Sequence, residues 1–232
     1  PWPLDIIINA HSIAAYNQVF RFLLQVKRAK YCLDQLRFNS FSRSLSQVES
    51  TESEGKTEVG SESAVSSEEP GRSKTQLLHR VYLLRFKLVH FVNAVHSYLM
   101  SRILHSTGLE FQSDIDKASD LEAIIQVHTN YLDKVSERCL LHRKVGLVRE
   151  AVTKALNLAV VFQRRWDVGL TAFSAERIEQ MLSEFNKCSV FLLTMLNNIN
   201  KRGAFPHLEA LALSLTSHEE SSSTRPEEGL QT

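Results

Sequence analysis

Two long apolar-striped segments, Ser12 to Phe38 and Thr75 to Phe111, flank about 35 residues too polar to fold with them, and this arrangement limits what the chain can become. In the second segment Leu77, Val81, Leu84, Leu88, Phe91, Val95 and Tyr98 recur at steps of four and three. That spacing puts them on one face of an α-helix of roughly ten turns, ending near Phe111 after Gly108. The first segment places Ile13, Tyr16, Phe20, Leu23, Lys27 and Tyr31 in one row, with Val19, Phe22, Val26 and Leu33 beside it. So broad an apolar face predicts burial on more than one side. Asn9 or Ser12 offers a capping oxygen for this helix, and the Ile-rich run Leu4 to Ile8 predicts a strand or an extended lead-in. Long stripes of this kind are packing surfaces, so the chain reads first as a helical scaffold.

The same periodicity continues downstream. Ser113 to Lys117 reads as a short polar turn, and Ser119 with Glu122 as a capping box. The helix it opens carries Leu121, Ile124, Ile125, His128, Leu132, Val135 and Cys139. A fourth helix from about Arg143 carries Val145, Val148, Val152, Ala155, Leu156, Ala159 and Phe162, and stops near Trp166 and Gly169. Ser174 caps a fifth, with Ile178, Met181, Phe185, Cys188, Leu192, Met195 and Ile199 in its row, and Gly203 ends it. Pro206 suits the first turn of a short last helix through Leu208, Leu211 and Leu215. The fold class expected is therefore all-α: an antiparallel bundle of about five long helices plus a short C-terminal one.

Composition sets the domain plan. With 232 residues, 43 % of them hydrophobic, the chain can build one core. From Ser40 to Lys74 the sequence turns to Ser, Glu, Thr and Gly, which cannot bury enough surface to offset the entropy of ordering it. Residues 1–39 are thus expected to give an extended segment and first helix, 40–74 a disordered insertion, 75–216 the remaining helices and 217–232 a disordered acidic tail. The opening Pro1-Trp2-Pro3, without methionine, reads as a piece of a longer polypeptide.

Chemistry-bearing patterns are sparse. The nine histidines do not pair with one another or with carboxylates at the three or four spacing that a helical metal site needs; His90 and His96 are six apart. There is no G-x-S-x-G elbow, no glycine-rich phosphate loop and no recognisable nucleophilic cysteine motif. No catalytic role, metal or cofactor is expected. Cys32, Cys139 and Cys188 are odd in number and each lies in an apolar run, which argues against a disulfide framework and for a reducing, intracellular setting. No run reaches the roughly 18 apolar residues of a membrane span.

The net charge of +1 conceals a division: the acidic segments 40–76 and 217–232 leave 22 Lys and Arg against 15 Asp and Glu elsewhere. A basic folded part suits an acidic protein surface or, less well, a nucleic acid. Yet the clusters Lys27-Arg28-Lys30, Arg164-Arg165 and Lys201-Arg202 fall at helix C-terminal ends, where they complement the helix dipole, and Phe20, Phe22 and Tyr31 read as core-facing. A nucleic-acid partner is therefore not expected. A generic adaptor holding a partner helix against the rows of the second and fifth helices stays open as an alternative.

Specific strings go further than periodicity. Trp2-Pro3-Leu4, Tyr16-Asn17, Phe20-Arg21-Phe22-Leu23-Leu24 and Lys27-Arg28 come first. His90-Phe91-Val92 with His96, Tyr98 and Leu99 follows, and then Asp120-Leu121 with Ile125, His128, Tyr131, Leu132 and Arg138-Cys139-Leu140-Leu141. In this order, over nearly all of Trp2 to Leu215, they resemble the C-terminal domain of the gamma-tubulin complex proteins. The resemblance implies an all-helical, non-catalytic scaffold that binds gamma-tubulin and presents it within a ring that templates microtubule growth. It implies as partners gamma-tubulin and other components of that complex, component 4 among them, mainly through an N-terminal domain whose motifs do not occur here. It implies a place in the cytoplasm, on the cytoskeleton, at the centrosome or another microtubule organising centre. The candidate contact residues are Arg102, His105, Ser106 and Glu110, where the matching strings include polar residues that packing does not require, with His128 and Arg138 as second choices.

Overall fold

The computed structural model describes residues 4–36, 70–203, 205 and 207–216. Every regular element among them is helical. They are α1 (Leu4–Ile7), α2 (Ala10–Asp34), α3 (Pro70–Ser97), a π-helical stretch (Tyr98–His105), α4 (Ser106–Asp116), α5 (Leu121–Arg138), α6 (Gly146–Val168), α7 (Ala175–Lys201) and α8 (Leu208–Thr216), with 3-10 turns at Arg143–Val145 and Leu170–Ala172. Because α3, the π stretch and α4 follow without a break, the long rods number five and α8 is the short last helix, as the periodicity predicts.

Capping explains several boundaries. Asn9 Oδ1 accepts from the Ser12 amide at 2.9 Å and opens α2, and Ser174 Oγ accepts from the Arg177 amide at 3.3 Å and opens α7. Gly203, at φ +66°, ends α7 in the left-handed conformation expected of it. Other boundaries differ from expectation. Asp120, not Ser119, caps α5, its carboxylate accepting from the Ala123 amide at 2.7 Å. Leu4–Ile7 forms a helical turn instead of an extended segment, and its packing against α5 overrides the β preference of its isoleucines. Helix continues through the polar residues 113–116 that read as a turn, and α3 begins at Pro70, inside the span assigned to the insertion. The rest of that insertion, the acidic tail and Pro206 lie outside the described residues.

Helix α3 is the centre of the bundle, touching α2, α6, α7 and α8. Its row is buried as the spacing requires: Val81, Leu84, Leu88 and Val95 are fully enclosed, and Phe91 meets Phe185 of α7 edge to face at 5.8 Å. Helices α3 and α7 run side by side in the same direction. Arg80 Nη1 donates to Glu179 Oε2 at 2.8 Å and Lys87 Nζ to Asn186 Oδ1 at 3.0 Å, both over 99 residues of sequence. Trp166 near the end of α6 packs on Phe162 and Tyr82, closing that end of the core. The row of α3 is thus consumed within the bundle, which counts against an adaptor that offers that row to a partner, whereas on α7 Cys188 stays partly exposed.

Helix α2 corrects a second expectation. It packs on α3, α6 and α5 through Val19, Phe22, Val26, Ala29 and Leu33, whereas Ile13, Phe20, Leu24 and Tyr31 are exposed, Phe20 by 60 % and Tyr31 by 66 %. Its apolar surface is wider than the arc its neighbours cover, so only one flank is buried.

Candidate functional site

Two of the residues singled out from sequence, Glu110 and Arg138, meet where α4 follows the π stretch and is backed by α5. A π-helix forms i to i+5 hydrogen bonds and is rarely longer than a turn, so eight residues of it need support from outside the helix. Here the support is a set of bonds from the C-terminal end of α5. The Tyr98 hydroxyl donates to the Arg138 carbonyl at 3.1 Å, and Arg138 Nη1 donates to Thr107 Oγ1 at 2.9 Å and Glu110 Oε1 at 3.0 Å. Lys134, one turn earlier on α5, donates to Glu110 Oε2 at 3.2 Å.

This arrangement sets the local electrostatics. The hydrogen bond from Arg138 holds the Glu110 carboxyl below the usual carboxylate range, helped by Lys134 and opposed by partial burial. Cys139, next in sequence to Arg138, is enclosed, and burial pushes its thiol up to about 12, so it is not a nucleophile. Tyr98, buried beside it, is raised chiefly by the same desolvation.

A second group sits behind the first. The His128 ring is 5 % exposed, lies between Tyr16 and Phe111, and shares a 3.0 Å hydrogen bond between its Nε2 and the Tyr16 hydroxyl. Phe111 stacks on Tyr131 with ring centroids 4.4 Å apart. Burial depresses the His128 pKa, so the neutral ring is the form this pocket favours.

Of the six candidates, Glu110 and Arg138 are in direct contact, and His128 is joined to them through Phe111, the neighbour of Glu110. His105 closes the π stretch and Ser106 opens α4, both exposed. Arg102 lies within the π stretch. The sequence reading did not include Thr107, Lys134 or Tyr16 in this group. The i, i+4 pair of cations Lys134 and Arg138 signals a shared carboxylate, but nothing in its spacing selects Glu110 on another helix. Among the described residues no three His, Cys, Asp or Glu side chains gather as metal ligands, and no helix is long and apolar enough to cross a membrane.

Within the gamma-tubulin complex proteins, the strings Arg102-Ile103-Leu104-His105-Ser106-Thr107-Gly108-Leu109-Glu110-Phe111, and Arg202-Gly203 with Phe205-Pro206-His207-Leu208-Glu209, resemble component 5, with component 6 the nearest rival. Comparison with known proteins agrees. Residues 1–219 match the family model described as gamma tubulin complex component C-terminal. The chain is 48 % identical over 217 residues to gamma-tubulin complex component 5 of Mus musculus, covering 93 % of this chain and 21 % of that protein. It is 47 % identical over 215 residues to component 5 of Macaca fascicularis, covering 93 % and 29 %. Against component 6 of Homo sapiens it is 27 % identical over 222 residues, covering 91 % and 11 %. The chain thus spans less than a third of the length of these relatives. With the model matched from end to end of the helical bundle, the chain belongs to the gamma-tubulin complex component family and carries its C-terminal domain.

Proposed function

We propose that this domain is a non-catalytic scaffold that binds gamma-tubulin and holds it in place within a ring complex for microtubule nucleation. Such a task is one of geometry. A rigid bundle that fixes its partner reduces the entropy lost when a nucleus assembles. The observation that supports the reading most directly is the π stretch, an unusual backbone fastened from α5 and carrying exposed His105 and Ser106 where it meets α4. Arg102, His105, Ser106 and Glu110 form the proposed contact, with Arg138 holding Glu110 in position and His128 supporting the helix pair from behind. Other components of the complex, component 4 among them, are the proposed neighbours, and the centrosome or another microtubule organising centre the proposed location.

The test is co-purification of the full-length protein with gamma-tubulin, wild type against the charge reversal Arg102→Glu with His105→Glu. Retention should fall at least about tenfold, which corresponds to ~1.4 kcal/mol, while the thermal midpoint stays within a few degrees. Undiminished retention by the folded variant would remove this contact assignment.

A further inference from the structure

Helices α6 and α7 form an antiparallel pair whose outward groove no other described helix covers. On α6, Leu147, Ala151, Lys154, Leu158, Val161 and Arg165 recur at steps of four and three, and α7 answers with Arg177, Met181, Glu184, Cys188 and Phe191 at the same steps. The two rows line one cleft of about 520 Å³ and a second of about 350 Å³, which share Lys154, Lys187 and Cys188 and so join end to end. Its apolar wall is open to solvent: Leu147 is 57 % exposed, Val161 39 % and Phe191 43 %. From Leu147 to Arg165 the trough runs about 27 Å, the length of a five-turn helix.

Its charge specifies the occupant. Glu150 on the rim is taken by Lys154 at 3.0 Å, which leaves Arg165, Arg177 and Lys187 against Glu184. We propose that this groove docks an amphipathic helix of a partner protein, one whose apolar stripe at i, i+4 and i+7 is flanked by Asp or Glu. Helix-in-groove binding of this kind takes its affinity from the apolar row and its selection from the flanking charges. A second copy of this chain fits poorly, since self-complementary docking would set the same cationic walls against each other. The groove is formed by α6 and α7, whereas the proposed gamma-tubulin contact lies on the π stretch and α4, so the two readings fail separately.

The test uses full-length protein and a labelled designed helical peptide of 18 residues with leucines at heptad spacing flanked by glutamates, followed by fluorescence anisotropy. A second peptide carries lysines in place of the glutamates. The glutamate peptide should bind with an affinity that falls as salt is raised, and the lysine peptide at least about tenfold more weakly. Phe191→Asp, at an exposed position, should abolish binding of the glutamate peptide, and Arg165→Glu with Arg177→Glu should reverse the preference between the two. Equal binding of the peptides, binding of neither, or binding indifferent to these variants would overturn the proposal. So would displacement of the peptide by gamma-tubulin, or concentration-dependent self-association that Phe191→Asp abolishes, since the groove would then have another occupant.

Discussion

Tyr16 and His128, 112 residues apart, share a 3.0 Å hydrogen bond that ties α2 to α5. With His128 buried, Tyr16→Phe leaves its Nε2 without this partner. The expected loss is about 1 kcal/mol in chemical denaturation, with no change in the slope of the transition.

The same histidine makes the fold sensitive to acid. Burial lowers the pKa of His128 from 6.5, and burial is also the first cause for His207 and for His96, which Lys27 and Lys30 lower further. Around and below pH 6.5 the unfolded chain therefore binds more protons than the folded one. Stability is complete above that pH and falls as pH drops through the lowered folded values. Denaturation midpoints at pH 7.5 and 5.5 should differ in that direction, and His128→Asn should reduce the difference. Glu110, also lowered from its ordinary value, adds a loss of the same sign at more acidic pH.

Arg138 is one-quarter exposed and Glu110 somewhat more, so their ion pair alone contributes little, about 0.2–1 kcal/mol. Arg138→Met also takes the bond from Thr107, whose residue is fully buried, and should cost about 1–3 kcal/mol in all. Glu110→Gln should cost less. A double-mutant cycle on denaturant midpoints separates the pair from the hydroxyl.

The asymmetry of α2 can be measured with two phenylalanines two residues apart. Phe22, 4 % exposed, should cost about 3–5 kcal/mol on substitution by alanine, whereas Phe20→Ala should stay within about 0.5 kcal/mol. Equal losses in urea titration would mean that both flanks of α2 are covered.

Gly203→Ala tests the end of α7. Nothing lies within 4 Å of an added Cβ, so the expected loss of about 1 kcal/mol is purely that of holding alanine at φ +66°. The thermal midpoint should fall by a few degrees.

The stripes of α3, α5, α6, α7 and α8 were legible because their buried residues recur at helical spacing, which is what periodicity reports. Helix α2 was legible as a helix but not in its orientation. Its row of Ile13, Tyr16 and Phe20 and its row of Val19, Phe22 and Val26 are equally apolar, and only the positions of α3 and α6 decide between them. The continuation of α4 beyond Phe111 was hidden for another reason. Gly108 and the polar residues after Phe111 signal an end locally, yet the helix runs on to Asp116, and the bonds from Arg138 that fasten it at Thr107 and Glu110 are tertiary. In the candidate site, the residue types were recoverable from matching strings, but the pairing of Glu110 with Arg138 and of His128 with Tyr16 is tertiary and has no counterpart in spacing.

Helix α2 leaves the ribosome more than a hundred residues before α6, with which it packs, is complete. At ~5–20 residues per second that interval is roughly 5 to 30 s, during which Val19, Phe22, Val26 and Leu33 have no α6 to cover them. Synthesis of this domain therefore passes through a sticky nascent state whose lifetime is set by translation, and slowing elongation within α6 should raise its demand for holdase chaperones before any change in the finished protein can be detected.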